Sequence, residues 1–235
     1  MYPKKSRLIR SICALATFML VTLQLGTASA LTPRIDENFT GHPAGKTLDD
    51  SEKFGHWRVV FDGVTNGHGV RISKAGLLLT PQAATQPDAT NSTLVVSRRK
   101  FTDKPLHVSA TWTTQRTTRL GTANPWETGW LIWDYLDAAH FTYLILKPNG
   151  WEVGRRDPSM PGGQRFIADG QLPATPIRMQ RTATIDRING QTSIRIDGAA
   201  LTSFTLPAGE SRGSVGMYSE DAIVLWSRIS VASGN

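Results

Sequence analysis

Hydrophobic and polar residues alternate with a period of two along most of this chain, and no stretch sustains a helical period. The alternation predicts about fifteen short strands between Trp57 and Val231. Among them are Gly129–Tyr135, Phe141–Pro148, Gly150–Gly154, Ile177–Thr182, Thr184–Ile188, Gly213–Ser219 and Val224–Val231. The punctuation between them is that of turns. Asn189-Gly190 and Asp197-Gly198 each sit between alternating apolar runs, the pattern of a two-residue hairpin with positive φ at both positions. Asn149-Gly150, after Pro148, reads the same way. Pro81–Asn91 and Asp157–Gly163 read as Pro-rich and Gly-rich loops. Many short strands without a helix make one all-β domain of two packed sheets. No internal repeat or linker divides it.

Along a strand, side chains point to alternate faces. In Gly129–Tyr135 that puts Trp130, Ile132 and Asp134 on one face and Leu131, Trp133 and Tyr135 on the other. The face with Asp134 is expected to be open, with Trp130 as a platform and Trp133 in the core. On the next strand Tyr143 and Lys147 are expected to point outward. Trp112 and Trp226 are expected in the core.

The segment Asn124–Asp157 holds Trp126, Trp130, Trp133 and Trp151, four of the seven tryptophans. Charged residues are interleaved with those rings. A core needs large apolar side chains, but not a charge beside nearly every one. Rings that cover apolar C–H patches, next to groups that meet hydroxyls, are what a sugar-binding face requires. The candidate ligand-binding residues are therefore Trp126, Glu127, Trp130, Asp134, Tyr143, Lys147, Trp151 and Glu152, with Lys147 or Arg155 available to an acidic sugar.

The first thirty residues have the form of a secretory signal peptide. Lys4, Lys5, Arg7 and Arg10 precede an apolar run from Ser11 to Leu25, and Ala28-Ser29-Ala30 supplies a small-residue cleavage site. The expected domains are residues 1–30, a signal peptide, and 31–235, the folded domain, which is expected to be exported to the medium, periplasm or cell envelope. The run is too short to span a membrane comfortably. Removing it takes away the single cysteine, and with it thiolate catalysis and any disulfide. It also lowers the formal charge from +7 to +3, 22 Lys and Arg against 19 Asp and Glu. A nucleic-acid partner is therefore not expected. The expected partner is a poly- or oligosaccharide, and the expected state a monomer.

The hairpin ladder from Ile177 to Phe204, followed by Gly213-Ser214-Val215-Gly216-Met217-Tyr218 and a closing strand, resembles the second half of concanavalin A-like jelly rolls. The segment from Gly129 to Leu146 resembles a hairpin of laminin G-like and glucanase-like sandwiches. The NPWE and KPNGWE segments resemble secreted bacterial proteins of this fold described as calcium-binding or glycoside-hydrolase-like. The resemblance covers most of residues 36–231 and implies a single antiparallel two-sheet jelly roll. It also implies that any calcium is structural. Relatives that hold calcium often carry an Asp in the last strand, where this chain has Ser227. Asp36, Glu37, Glu220 and Asp221 are the carboxylates left to hold such an ion where the first and last strands meet. No other cofactor is expected.

Catalytic motifs are scarce. Gly209-Glu210-Ser211-Arg212-Gly213 has the spacing of a nucleophile elbow but lacks the following helix. The five histidines have no ligand spacing. A retaining glycosidase needs two carboxylates about 5 Å apart, and Glu127 and Asp134 on one extended strand lie about 23 Å apart. The reading is a non-catalytic, lectin-like module. The alternatives are a polysaccharide-cleaving enzyme of the same fold and a structural envelope or adhesion domain.

Overall fold

The computed structural model describes residues 31–86, 88–102 and 104–234. The expected signal segment, residues 1–30, lies outside them. Seventeen strands and one 3-10 turn, Pro161–Gly163, make up the described secondary structure. One sheet has nine strands. Its spatial order is β15 (Ala199–Thr205), β14 (Gln191–Ile196), β13 (Gln180–Ile188), β8 (Leu106–Thr117), β17 (Ala222–Ser233), β6 (Gly76–Leu79), β5 (Val70–Ser73) and β2 (Thr47–Leu48), with β1 (Thr32–Glu37) also on β17. The other sheet runs β12 (Gln164–Gly170), β11 (Gly150–Arg156), β10 (His140–Lys147), β9 (Gly129–Asp137), β16 (Ser214–Glu220), β7 (Ser92–Ser97), β4 (Trp57–Phe61) and β3 (Lys53–Phe54). Neighbouring strands pair antiparallel throughout, as in a jelly-roll sandwich.

The main core lies between the sheets. Trp112 and Trp226 face each other from paired strands of the larger sheet, stacked at 4.9 Å and 22°. Leu131, Trp133, Leu144, Val153 and Met217 close on them from the smaller sheet. The two expected hairpin turns have the required backbone: Asn189 and Gly190 at φ 52° and 80°, Asp197 and Gly198 at 51° and 84°. The β10–β11 hairpin forms differently. Lys147 pairs with Gly150, so the loop is Pro148-Asn149, and proline's ring forbids positive φ at the first of these positions.

One departure from regular alternation sets the position of the candidate site. Ile132 opposes Gly216 and Tyr135 opposes Ser214, so three steps on β9 answer two on β16. This is a β-bulge. Asp134 takes up the extra residue with φ 53°, a left-handed conformation that Asp tolerates better than most side chains. The bulge reverses the faces beyond it. Tyr135, expected in the main core, joins Trp130 and Ile132 on the outer face. Asp134, expected on that open face, turns inward and is buried.

Candidate functional site

A second apolar cluster covers the face of the smaller sheet that points away from the larger one. Leu94, Val96, Trp130, Ile132, Tyr135, Phe141, Tyr143, Ile145 and Tyr218 form it, and all of them belong to strands of that sheet. Register explains how they meet. Phe61, Leu94, Tyr218, Trp130, Ile145 and Glu152 are direct neighbours across six adjacent strands and form one row on the outer face. A cleft of about 670 Å³ opens over this row. Ligand pockets are commonly of this size, apolar with a few placed polar groups.

The floor is a set of rings in contact. Trp130 lies 5.0 Å from Tyr143 and 4.9 Å from Tyr218, ring centre to ring centre. Tyr143 is wholly buried beneath them. It leans across Gly154, where a Cβ would come within 2.2 Å of the tyrosine oxygen. Its hydroxyl donates to Glu152 at 3.1 Å, and Lys147 Nζ lies 3.0 Å from the same carboxylate. The rim is exposed. Trp126 is 43% exposed and Phe166 63% exposed, and the Trp130 indole nitrogen donates to the Trp126 carbonyl at 2.9 Å. Arg156, Gln164 and Glu220 complete the polar lining. The Tyr218 hydroxyl donates to Glu220 at 2.8 Å. Burial pushes the Glu220 carboxyl up to about 7, with the neighbouring Asp221 and Glu127 carboxylates adding to the rise and the Tyr218 hydrogen bond opposing it. Burial likewise holds the Tyr143 and Tyr218 hydroxyls above their ordinary range.

Of the residues expected from sequence, Trp126, Trp130 and Glu152 line this cleft. Tyr143 lies wholly buried beneath its floor, and Lys147 is held on Glu152 from outside the lining. The other three lie outside the cleft. Glu127 is fully buried behind it, paired with Arg119 and hydrogen-bonded by the Asn124 amide at 2.8 Å. The same guanidinium holds Asp221 at 3.0 Å and the carbonyls of Gln86 and Ala89, each at 2.9 Å. Glu127 therefore helps to fasten the two loops that carry the rim and is not available to a ligand. Asp134, turned inward by the bulge, pairs with the fully buried Arg187 of the other sheet. Trp151 faces the core, its indole donating to the Leu172 carbonyl at 2.7 Å. As the immediate neighbour of Glu152 on a regular strand, it has to point the other way. Arg155, a candidate for an acidic sugar, is buried and bound to Glu210 and Thr142.

The expected calcium ligands do not assemble. Asp36 is held by Arg228, with both oxygens at 2.9 Å, and Glu37 by the Phe39 amide and His42. Glu220 lines the cleft and Asp221 is bound by Arg119. The first and last strands do pair, but Glu37 lies opposite Ile229. From there eight strand residues, about 25 Å, run back to Asp221. Among the described residues no group of three or more His, Cys, Asp or Glu side chains is placed to hold a metal.

The lining residues missed from sequence include Phe61, Leu94, Phe141, Arg156, Gln164, Phe166 and Tyr218. Phe61, Leu94 and Tyr218 belong to strands distant in sequence, and only the register brings them together. For Phe141 and Arg156 the outward parity of β10 and β11 was a usable signal.

The fold is that of the concanavalin A-like jelly rolls, and known structures share it. A carbohydrate binding module from Bacillus subtilis matches with a TM-score of 0.57 and 13% identity, over 76% of this chain and 96% of its own. The metal-free carbohydrate recognition domain of Emp46p matches at 0.56 and 10%, over 85% and 95%. A glycoside hydrolase family protein from Mycobacterium thermorestibile matches at 0.50 and 13%, over 84% and 99%. At such identities the likeness is one of fold. No protein-family model and no curated protein sequence matches the chain.

Proposed function

We propose that this chain is a lectin-like carbohydrate-binding module and that the ring-floored cleft on the outer face of its smaller sheet takes a poly- or oligosaccharide. The observation that carries the reading is the second aromatic cluster. Among the described residues neither sheet packs a second layer on this face, yet it holds Trp130, Tyr143 and Tyr218 in contact, with a cleft open above Trp130 and Tyr218. Trp126 and Phe166 offer flat apolar surfaces to sugar C–H patches, and Glu152, Gln164 and Glu220 offer hydrogen-bond partners to hydroxyls. Structural neighbours named as a carbohydrate binding module and a carbohydrate recognition domain support it at the level of fold. The protein works after export, freed of residues 1–30, as a monomer. No helix among the described residues is long and apolar enough to cross a membrane. Binding is proposed without calcium in the cleft.

A glycan array followed by titration calorimetry tests the reading. Trp126→Ala together with Phe166→Ala is expected to weaken binding at least tenfold with an unchanged melting midpoint, because both rings are solvent-facing. Wild-type protein that binds no glycan, or a double variant that binds as well, refutes it.

A polysaccharide-cleaving reading has one observation in its favour: the Glu220 carboxyl, lifted by burial to about 7, has the protonation a general acid needs. Its partner across the cleft is Glu152, whose strand lies three strands from that of Glu220, about 14 Å between backbones. Release of reducing ends from a bound glycan, lost in Glu220→Gln, distinguishes cleavage from binding alone.

A further inference from the structure

Four Arg and Lys side chains belong to β10, β11 and β12, the strands that build one wall of the cleft. Three of them are matched. Lys147 is paired with Glu152 at 3.0 Å, Arg155 with Glu210 at 3.2 Å, and Arg165 with the same Glu210. Arg156 is different. It lines the cleft, half-buried, directly opposite Phe141 on β10 and Gln164 on β12. Among the described residues its guanidinium makes no side-chain hydrogen bond or ion pair within contact distance. A cation partly withdrawn from water against apolar walls lacks part of its hydration, and its attraction for an anion is stronger there than in bulk solvent.

We infer that the cleft selects acidic saccharides, with the guanidinium of Arg156 receiving the carboxylate of a uronate residue while the neighbouring rings cover the sugar face. The inference rests on the carbohydrate-binding reading above and names the ligand class of the same site. Arginine suits the task because its planar fork donates two parallel hydrogen bonds to a carboxylate. The other charges around the cleft are compatible with an anionic ligand. Glu152 is balanced by Lys147 and hydrogen-bonded by Tyr143. Glu220 shares a hydrogen bond with Tyr218, and burial favours its neutral form below about pH 7. Arg156 faces Glu220 across the lining but, among the described residues, has no carboxylate at contact distance, so its guanidinium is open to a ligand entering the cleft.

The test is titration calorimetry at pH 6 with tetragalacturonate and tetramannuronate, each alongside its methyl ester, and with neutral mannotetraose, cellotetraose and levan oligosaccharides. Wild type is expected to prefer at least one free acid over its ester by about tenfold or more, the scale of a charge-assisted pair. Arg156→Gln is expected to bring that preference below twofold. Arg156→Lys, which keeps the charge without the fork, should fall between. Trp126→Ala should weaken acid and ester alike. Equal binding of acids and esters, or a preference that survives in Arg156→Gln with an unchanged melting midpoint, overturns the inference. Neutral glycans that bind through Trp126 while the acids do not also overturn it, and the carbohydrate reading then stands. No binding by any of these ligands overturns both.

Discussion

At the scale of single residues, position on a strand decided role more than residue type did. Trp126, Trp130, Trp133 and Trp151 are the same side chain in one segment, yet one forms the rim, one the floor, and two the core. The sequence already placed Trp133 inward and Trp130 outward, because alternation within one strand is a local property. It grouped Trp151 with Glu152, which the same alternation forbids. Glu220 was legible only as a carboxylate, since its burial comes from strands far away in sequence. Its chemistry leads to a firm expectation. A carboxyl raised from 4.5 to about 7 on folding keeps a proton that the unfolded chain has released. Stability therefore falls as pH rises through that window, by up to about 3 kcal/mol. The charges that face Glu220 are Asp221 and Glu127, which add to the shift, and Arg156, which opposes it. Glu220→Gln removes the titration. Thermal melts at pH 5 and pH 8 are expected to show the variant gaining stability on wild type as pH rises. A constant difference at both pH values would contradict the assignment.

At the scale of elements, strand existence was largely legible and strand termini less so. Three strands went unseen for separate reasons. β1 contains Pro33, which argues against a strand, and its pairing with β17 is irregular at that point. β2 and β3 are two residues each, too short for any periodicity. Conversely, the two strands expected at Ile177–Thr182 and Thr184–Ile188 are one, because alternation runs unbroken through Ala183, while Arg178 at φ 71° keeps the chain before Gln180 out of the sheet. The β9 bulge was not legible, since the extra residue is defined only against a partner strand. It makes Asp134 a structural residue, and this is testable. Asp134→Ala leaves Arg187 buried without its partner, so a loss of about 3–5 kcal/mol in denaturant unfolding is expected. Any folded variant should keep wild-type glycan affinity. Full stability together with lost binding would instead restore Asp134 to the cleft.

At the scale of the whole molecule, turn chemistry and alternation specified a two-sheet sandwich, and the resemblance specified its type. Which sheet face stays open depends on register across six strands, and this is why most of the cleft lining was missed. The separation of the four carboxylates expected for calcium is set at this same scale. Pairing of the first and last strands was correct, but it places Glu37 and Asp221 far apart along β17. Melting midpoints with and without chelator are expected to coincide. A midpoint that rises with added calcium would require a site outside the four carboxylates considered. The central claim, that glycan sits on the outer face of the smaller sheet, is read most directly from the indole N–H signals of the tryptophans in a 15N-labelled protein titrated with a bound oligosaccharide. The Trp126 and Trp130 signals are expected to move and those of Trp57, Trp133 and Trp226, shut in the core, to stay. Saturating glycan that leaves Trp126 and Trp130 unmoved would contradict it.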